Sequence, residues 1–306
     1  MSVLLIGGCG FIGTHVANAL VAKGIPIVIY DRNTNRANGS ALVRYIKGEF
    51  GNRGELENVL TAYSITTVLH LVSSTLPESS NEDPEFDVSS NVCETIALLQ
   101  LCVKHSIRKI VYLSSGGTVY GRPHYSPIDE THPTEPICSY GITKLTIEKY
   151  LALYHHLYGL KYTAIRAANP YGAGQNPLSA QGIISIFIRQ MLHGQPLNVW
   201  GDGNIVRDFF HVHDLANLCC RVLDNDYCGI INAGSGKGLT INQLIVKLSD
   251  TLKITPVVVR QDRRDFDVAE IVLNCNLAQR LLGWTPTVPF EEGVKGLASW
   301  IKTNYS

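Results

Sequence analysis

Near its N-terminus the chain reads Val3-Leu-Leu-Ile-Gly-Gly-Cys-Gly-Phe-Ile-Gly13, an apolar run followed directly by a turn with regularly spaced glycines. Gly7 permits the tight turn, Gly10 lets the backbone approach a pyrophosphate, and Gly13 lets a helix pack closely on the preceding strand. The free N–H groups at the start of that helix attract an anion. The stretch therefore predicts a strand–turn–helix unit that seats a dinucleotide.

An acidic residue, Asp31, closes the second apolar run. A carboxylate about 20 residues after the glycines accepts hydrogen bonds from the ribose diol and repels a 2′-phosphate. The next residue, Arg32, could instead serve such a phosphate. Asp31 outweighs Arg32 in this comparison, so the sequence predicts NAD rather than NADP as the cofactor.

Further along the chain, short β-branched runs alternate with amphipathic segments. The predicted strands are residues 3–6, 27–30, 67–71, 109–113 and 162–166, and the predicted helices between and after them are 11–23, 55–63, 88–105 and 139–157. This alternation predicts an α/β fold, a Rossmann-like doubly wound parallel sheet. We expect an NAD-binding domain over 1–168 and a smaller substrate-binding α/β cap over 169–306. The segment from about 205 to 232 is expected to pack back on the first domain.

A second informative stretch is Tyr140-Gly-Ile-Thr-Lys144. A Tyr and a Lys four residues apart share one face of a helix. The ammonium can stabilise a phenolate, which makes a group with a pKa of roughly 10 a usable base near neutral pH. A base beside a dinucleotide predicts hydride transfer from an alcohol carbon.

The composition and charge of the chain exclude several kinds of partner and site. Acidic and basic residues balance at 26 each, and no basic run is present, so nucleic acid and anionic membranes are poor partners. No apolar stretch approaches the ~20 residues that span a bilayer. The eight cysteines have no CxxC pair and are expected to be free thiols in a reducing cytoplasm. His211-x-His213 lacks an assured third ligand, so no metal is expected.

These motifs together resemble those of the extended short-chain dehydrogenase/reductases, the NAD-dependent epimerase/dehydratase family, and within it the UDP-glucose 4-epimerases. The resemblance covers nearly the whole chain. It also includes Asn91, Ser114-Ser-Gly-Gly-Thr-Val-Tyr-Gly121, Arg166-Ala-Ala-Asn-Pro-Tyr-Gly172, Arg207-Asp-Phe-Phe-His-Val-His-Asp214 and Arg264-Asp-Phe-Asp267. It implies epimerisation at C4 of a nucleotide-diphosphate hexose through a 4-keto intermediate, in a homodimer joined through helices 88–105 and 139–157.

The resemblance also implies roles for individual residues. Tyr140 would be the catalytic base, Lys144 would hold the nicotinamide ribose, and Ser115 would bond the sugar hydroxyl. The implied NAD contacts are Gly7, Gly10, Phe11, Ile12, Gly13, Asp31, Arg32, Glu49, Phe50, Leu71, Val72, Ser73, Asn91, Ser114, Tyr140 and Lys144. The implied substrate contacts are Ser115, Gly116, Thr118, Asn169, Arg207, Arg264, Asp267 and Ile271.

The chain departs from the family at several places. The usual proton-relay hydroxyl is replaced by Gly116, so Ser115 or Thr118 must take that role, and Ser115 is favoured. Glu49 stands where an Asp usually meets the adenine, and Val72-Ser73 replaces the usual Ala-Ala pair.

Sugar-nucleotide dehydratases carry Asp-Glu where this chain has Gly116-Gly117, so net elimination is excluded. Two alternatives stay open: a nucleotide-sugar 4-reductase or dehydrogenase, and a non-catalytic NAD sensor, which would not need the Tyr–Lys pair. Ile271, smaller than the Tyr that excludes N-acetyl groups in related enzymes, predicts that UDP-GlcNAc and UDP-GalNAc are accepted beside UDP-Glc and UDP-Gal.

Overall fold

The computed structural model describes residues 2–34, 39–262 and 268–305. Its centre is a seven-stranded, wholly parallel sheet in the order β10-β6-β5-β4-β1-β2-β3. The strands are β1 (Ser2–Ile6), β2 (Ile27–Asp31), β3 (Val43–Lys47), β4 (Ile65–His70), β5 (Lys109–Ser115), β6 (Lys161–Ala167) and β10 (Gly229–Ala233). Most central strands are buried on both faces, which explains their continuous apolar sequences.

Helices cover both faces of this sheet. One face carries α1 (Phe11–Ala22) and α8 (Val212–Leu223), and the other carries α2 (Arg53–Ala62), α5 (Glu94–Lys104) and α6 (Ser139–Tyr158). Between β4 and α5 lie two short helices, α3 (Ser79–Glu82) and α4 (Pro84–Asp87), and a π-helical turn over Val88–Cys93. The predicted helix 88–105 is therefore regular only in its second part.

The second half of the chain builds the cap. Its strands are β7 (Asn169–Tyr171), β8 (Leu197–Trp200), β9 (Val206–His211), β11 (Gly238–Thr240), β12 (Val258–Gln261) and β13 (Glu270–Ile271). Its helices are α7 (Ile183–Leu192), α9 (Ile241–Leu252), α10 (Asn276–Leu282) and α11 (Phe290–Asn304). An apolar cluster joins α7, α9 and α11. One strand of the second half belongs to the large sheet, because β10 pairs with β6 at the edge of that sheet.

Two local predictions were incomplete. Sequence patterning missed β3, a strand at the sheet edge whose burial is only partial. No strand was predicted immediately after residue 168, but the structure has β7 there, paired with β9. Both strands are too short or too polar to show a clear period, and β7 also pairs with a strand that lies far along the chain.

One helical stretch, Pro84–Lys104, is long and apolar enough to cross a bilayer by length and composition. Its residues Val92, Leu98 and Leu99 are buried in the cluster beneath the sheet, so it serves as a core helix. All eight cysteines are free thiols.

Candidate active site

The carboxyl ends of β1, β2, β4, β5 and β6 open onto two adjacent cavities, where ligands bind in doubly wound sheets. The cofactor cavity, about 340 Å³, lies over the glycine turn and the end of β2. The catalytic cavity, about 390 Å³, lies between the end of β5, the start of α6 and the cap. Leu71 and Ser73 line both cavities and so mark the place where they meet.

The glycine turn has the shape that a pyrophosphate requires. Gly7 has a φ of +84°, and a Cβ on Gly13 would stand 2.3 Å from the Gly7 carbonyl oxygen. Gly10 precedes α1 without a side-chain cap, and no acidic residue occupies the first turn of α1. The N-terminal amides of α1 are thus compatible with an anionic ligand. Phe11 and Ile12 follow and line the catalytic cavity.

Beside the turn, the cofactor cavity has the chemistry of an adenosine site. Asp31 accepts the backbone N–H of Cys9 at 2.9 Å, which ties its carboxylate to the glycine turn. The predicted contacts Arg32, Glu49, Phe50, Leu71, Val72 and Ser73 all line this cavity together with Asp31. The residues present therefore fit a dinucleotide with a free ribose diol.

The predicted Tyr–Lys pair lies on the wall of the catalytic cavity. Lys144 Nζ is 5.3 Å from the centre of the Tyr140 ring and 4.9 Å from that of Tyr112, and it donates to the Leu113 carbonyl at 3.0 Å. Burial lowers the pKa of Lys144 to about 8, while Asp87 and Glu148 act in the opposite direction.

The pKa of Tyr140 differs from the sequence prediction. Burial raises this pKa to about 12, and a side-chain hydrogen bond with Ser73 opposes the rise. Lys144 was expected to lower it, but its ammonium is bonded to a backbone carbonyl. In this environment desolvation of the phenol outweighs the attraction of the ammonium.

The hydroxyl residues after β5 lie around the same cavity. Ser115, Gly117 and Thr118 line it, and the buried Thr118 Oγ1 has no hydrogen-bond partner among the residues that the structure describes. Gly116 is buried, and a Cβ there would stand 2.5 Å from Leu273 Cδ1. Packing against Leu273 thus explains why glycine occupies the position of the usual relay hydroxyl.

Two predicted cofactor residues are turned toward supporting networks. Ser114 is buried, and its hydroxyl donates to Glu148 Oε1 at 2.6 Å. The Glu148 carboxylate also forms a buried ion pair with Arg166, at 2.6 Å between Nη2 and Oε2. Asn91 is buried as well, and its side-chain oxygen accepts the Ser74 N–H at 2.9 Å. Neither Ser114 nor Asn91 presents a free side chain to the cofactor cavity, and their cofactor contacts stay predictions.

The most important residue that sequence reasoning missed is Asp87, which is fully buried. Its carboxylate accepts the hydroxyls of Ser139 at 2.7 Å and Thr143 at 2.8 Å, the residues on either side of Tyr140 in α6. It also accepts the hydroxyl of Thr75 at 2.5 Å. Asp87 therefore joins the first turn of the catalytic helix to the loop after β4. In the sequence Asp87 stands between Phe86 and Val88 within a largely polar stretch, so no local pattern predicted its role.

The cap closes the catalytic cavity with the predicted Asn169 and Arg207. Asn169 Nδ2 donates to the Asp208 carbonyl at 2.9 Å, and Arg207 Nη1 donates to the Val268 carbonyl at 2.8 Å. The predicted Arg264 and Asp267 lie outside the described residues. Ile271 pairs with Arg207 across β13 and β9 but is 1% exposed and packs in an apolar cluster with Val119 and Ile128. Its role in substrate choice stays a prediction.

Comparison with known proteins agrees with this architecture. A protein of Methanocaldococcus jannaschii, provisionally named a UDP-glucose 4-epimerase, is 35% identical over 306 residues, with 99% of each chain covered. An Escherichia coli dTDP-4-dehydro-6-deoxyglucose reductase is 30% identical, with 98% of this chain and 97% of the relative covered. The crystal structure of Thermotoga maritima UDP-glucose 4-epimerase with UDP-glucose superposes with a TM-score of 0.95 at 30% identity, covering 100% of both chains.

A family model described as the NAD dependent epimerase/dehydratase family matches residues 3–234. The predicted fold class, NAD cofactor and epimerase class are thereby confirmed. The chain belongs to the NAD-dependent epimerase/dehydratase family.

Proposed function

We propose that this protein is an NAD-dependent 4-epimerase of nucleotide-diphosphate hexoses, acting on UDP-Glc and UDP-Gal and also on their N-acetylated forms. One observation carries the proposal. Tyr140 and Lys144 line a cavity that also contains Asn169 and Arg207 of the cap. The position after Ser115, where elimination would need an acid, is a glycine packed against Leu273.

In the proposed reaction Tyr140, as phenolate, takes the proton of the sugar 4-hydroxyl. NAD, which Gly7, Gly10 and Gly13 would seat over the turn, would supply the hydride acceptor and donor for C4 of the sugar, on opposite faces of the 4-keto form. Lys144 holds the nicotinamide ribose, and its ammonium supplies a positive charge near the phenol, 5.3 Å from the ring centre. Because burial raises the pKa of Tyr140 to about 12, ionisation near neutral pH depends on positive charge and hydrogen-bond donors in the loaded site.

Epimerisation also requires that the sugar turn while the nucleotide stays bound. Arg207 is suited to a diphosphate because guanidinium groups bind phosphate oxygens with paired hydrogen bonds. Ser115 and Thr118 line the same cavity and are the hydroxyl residues proposed to contact the sugar. Binding energy from the nucleotide can then hold the reacting carbon near the cofactor.

The test is to incubate the purified protein with a panel of UDP-hexoses, without added cofactor, and to separate epimers chromatographically. Interconversion of Glc and Gal forms without net change in cofactor redox state supports the proposal. Tyr140→Phe is expected to keep the fold and the bound NAD while turnover falls at least ~10²-fold, as expected on removing a general base. A variant with near wild-type turnover would contradict the assignment of Tyr140.

A reductase of a 4-keto nucleotide sugar is the second candidate, favoured by the similarity to the dTDP-4-dehydro-6-deoxyglucose reductase. It would consume one reduced cofactor for each product formed. Oxidation of added NADH or NADPH that depends on a 4-keto sugar, without epimer formation, would support this function instead.

The exposed apolar residues of α6, including Ile142, Leu153 and Leu157, support a homodimer. In the proposed dimer these residues pack against their symmetry equivalents. The free thiols, four of them buried, fit a reducing cytoplasm.

A further inference from the structure

The first backbone amides of the catalytic helix α6 are bonded by side chains from a distant part of the chain. Backbone N–H groups at the start of a helix have no partner within that helix. The N–H of Ser139 is donated to Asn81 Oδ1 at 2.9 Å, and the N–H of Tyr140 is donated to Ser80 Oγ at 3.0 Å. Both acceptors belong to the short helix α3. The backbone of the proposed base is therefore held by Ser80, which stands 60 residues earlier in the chain.

The Ser80 hydroxyl has a second partner, which fixes its orientation. Ser80 is fully buried, and its hydroxyl proton is donated to the Pro77 carbonyl at 3.0 Å. A serine hydroxyl has one donor and two acceptor positions, so this donation leaves its lone pairs for the Tyr140 N–H. Pro77 and Leu76 line the catalytic cavity, as Tyr140 does. Ser80 thus ties the backbone of Tyr140 to the part of the cavity wall that the loop after β4 forms.

A close contact with the loop after β5 restrains the same turn of α6. Gly141 follows Tyr140, and a Cβ on Gly141 would stand 2.8 Å from the Thr118 carbonyl oxygen. Thr118 also lines the catalytic cavity. The turn that carries Tyr140 is therefore tied to two segments of the cavity wall, through Ser80 and through Gly141. Such restraint matters for catalysis, because a misplacement of about 1 Å can cost ~10²-fold in rate.

We propose that Ser80 is a positioning residue for the base: its hydroxyl holds the Tyr140 backbone where the phenol reaches the reacting hydroxyl of the substrate. Ser80 is not among the described residues that line either cavity, so it acts through Tyr140 and not on the sugar. This proposal rests on the proposed function only in taking Tyr140 as the group that exchanges a proton with the substrate. It adds no chemical step to the reaction.

The test compares Ser80→Ala with Asn81→Ala in the NAD-loaded protein. Each substitution removes one acceptor from the first amides of α6, but only Ser80 bonds the base residue. With a turned-over UDP-hexose, Ser80→Ala should lower kcat by roughly tenfold with KM retained, whereas Asn81→Ala should keep the wild-type kcat. Ser80→Cys, which keeps the shape of serine but offers a weak acceptor, should behave like Ser80→Ala. Urea denaturation checks that each variant is folded.

The double variant Ser80→Ala/Tyr140→Phe separates positioning of the base from a general structural role. If Ser80 acts through the phenol, Ser80→Ala should not lower the residual turnover of Tyr140→Phe any further. A purely structural role would lower that residual turnover by the same factor as in the wild type. Wild-type kcat in Ser80→Ala, equal losses in Ser80→Ala and Asn81→Ala, or a further loss in the double variant overturns the proposal.

Hydrogen exchange separates the role of Ser80 from the proposed function. In the NAD-loaded protein without sugar, exchange at the Tyr140 amide should become roughly fivefold faster in Ser80→Ala, the factor that one net hydrogen bond represents, and should keep its rate in Asn81→Ala. An unchanged exchange rate in Ser80→Ala overturns the proposal whatever the substrate is. If the wild type turns over no UDP-hexose, the proposed function fails, and the kinetic comparison is made with reduction of a 4-keto nucleotide sugar, while exchange still decides whether Ser80 holds Tyr140.

Discussion

Asp87→Asn tests how strongly the supporting network holds the catalytic helix. The buried carboxylate accepts Thr75 at 2.5 Å and Asn91 at 3.1 Å on Oδ1, and Ser139 at 2.7 Å and Thr143 at 2.8 Å on Oδ2. An amide keeps one of the two oxygens, so two of these four donors lose their acceptor. At about 1.5 kcal/mol for each donor left unsatisfied, the free energy of unfolding should fall by about 3 kcal/mol.

The same substitution should change the pH dependence of turnover. Burial lowers the pKa of Lys144 to about 8, and Asp87 is the foremost charge that opposes this. Removing the anion destabilises the ammonium, so the pKa of Lys144 falls further and its charge is lost at lower pH. The alkaline limb of kcat should therefore move to lower pH in Asp87→Asn.

Urea denaturation and a pH series of initial rates measure the two effects. The control is Asp83→Asn, an exposed helix cap that accepts only the Phe86 N–H at 2.9 Å among the described residues. Asn caps helices about as well as Asp, so this variant should change stability by less than about 0.5 kcal/mol. A loss below about 1 kcal/mol in Asp87→Asn, or an unmoved alkaline limb, would refute the reasoning.

Three further predictions concern the sugar, the relay group and the assembly. Ser115→Ala should slow turnover more than Thr118→Val; the reverse order would give the role to Thr118, whose buried Oγ1 has no hydrogen-bond partner within the described part of the chain. Leu157→Asp, on the exposed face of α6, should convert a dimer to a monomer in light scattering, and a wild-type monomer at micromolar concentration would count against the dimer. Ile271→Tyr should lower kcat/KM for N-acetylated substrates while that for plain hexoses survives, with urea denaturation as the check on folding; equal losses would remove Ile271 from substrate choice.

Local spacing was enough to predict the parts of the site that lie close together in the chain. We could predict the roles of Gly7, Gly10, Gly13 and Asp31 because a strand, a turn and a helix N-terminus require those residue types in that order. We could predict that Tyr140 and Lys144 share one face of a helix because one helical turn separates them. The alternation of strand and helix patterns also predicted the parallel sheet, which the structure has.

Contacts between distant segments were beyond the reach of the sequence. Asp87 meets Ser139 across 52 residues, and Glu148 meets Ser114 across 34. Periodicity indicates that a face is buried, but it does not say which polar groups share an interior, because that depends on how the crossover helices dock on the sheet.

The chain alone thus determined the family, and it predicted the cofactor seat and the base. The tertiary structure decided the environment that sets their chemistry: the burial that raises the pKa of Tyr140, and the Leu273 side chain that closes position 116. A pKa depends on the desolvation and the partners of a group in three dimensions, and neither is encoded in the spacing of a motif.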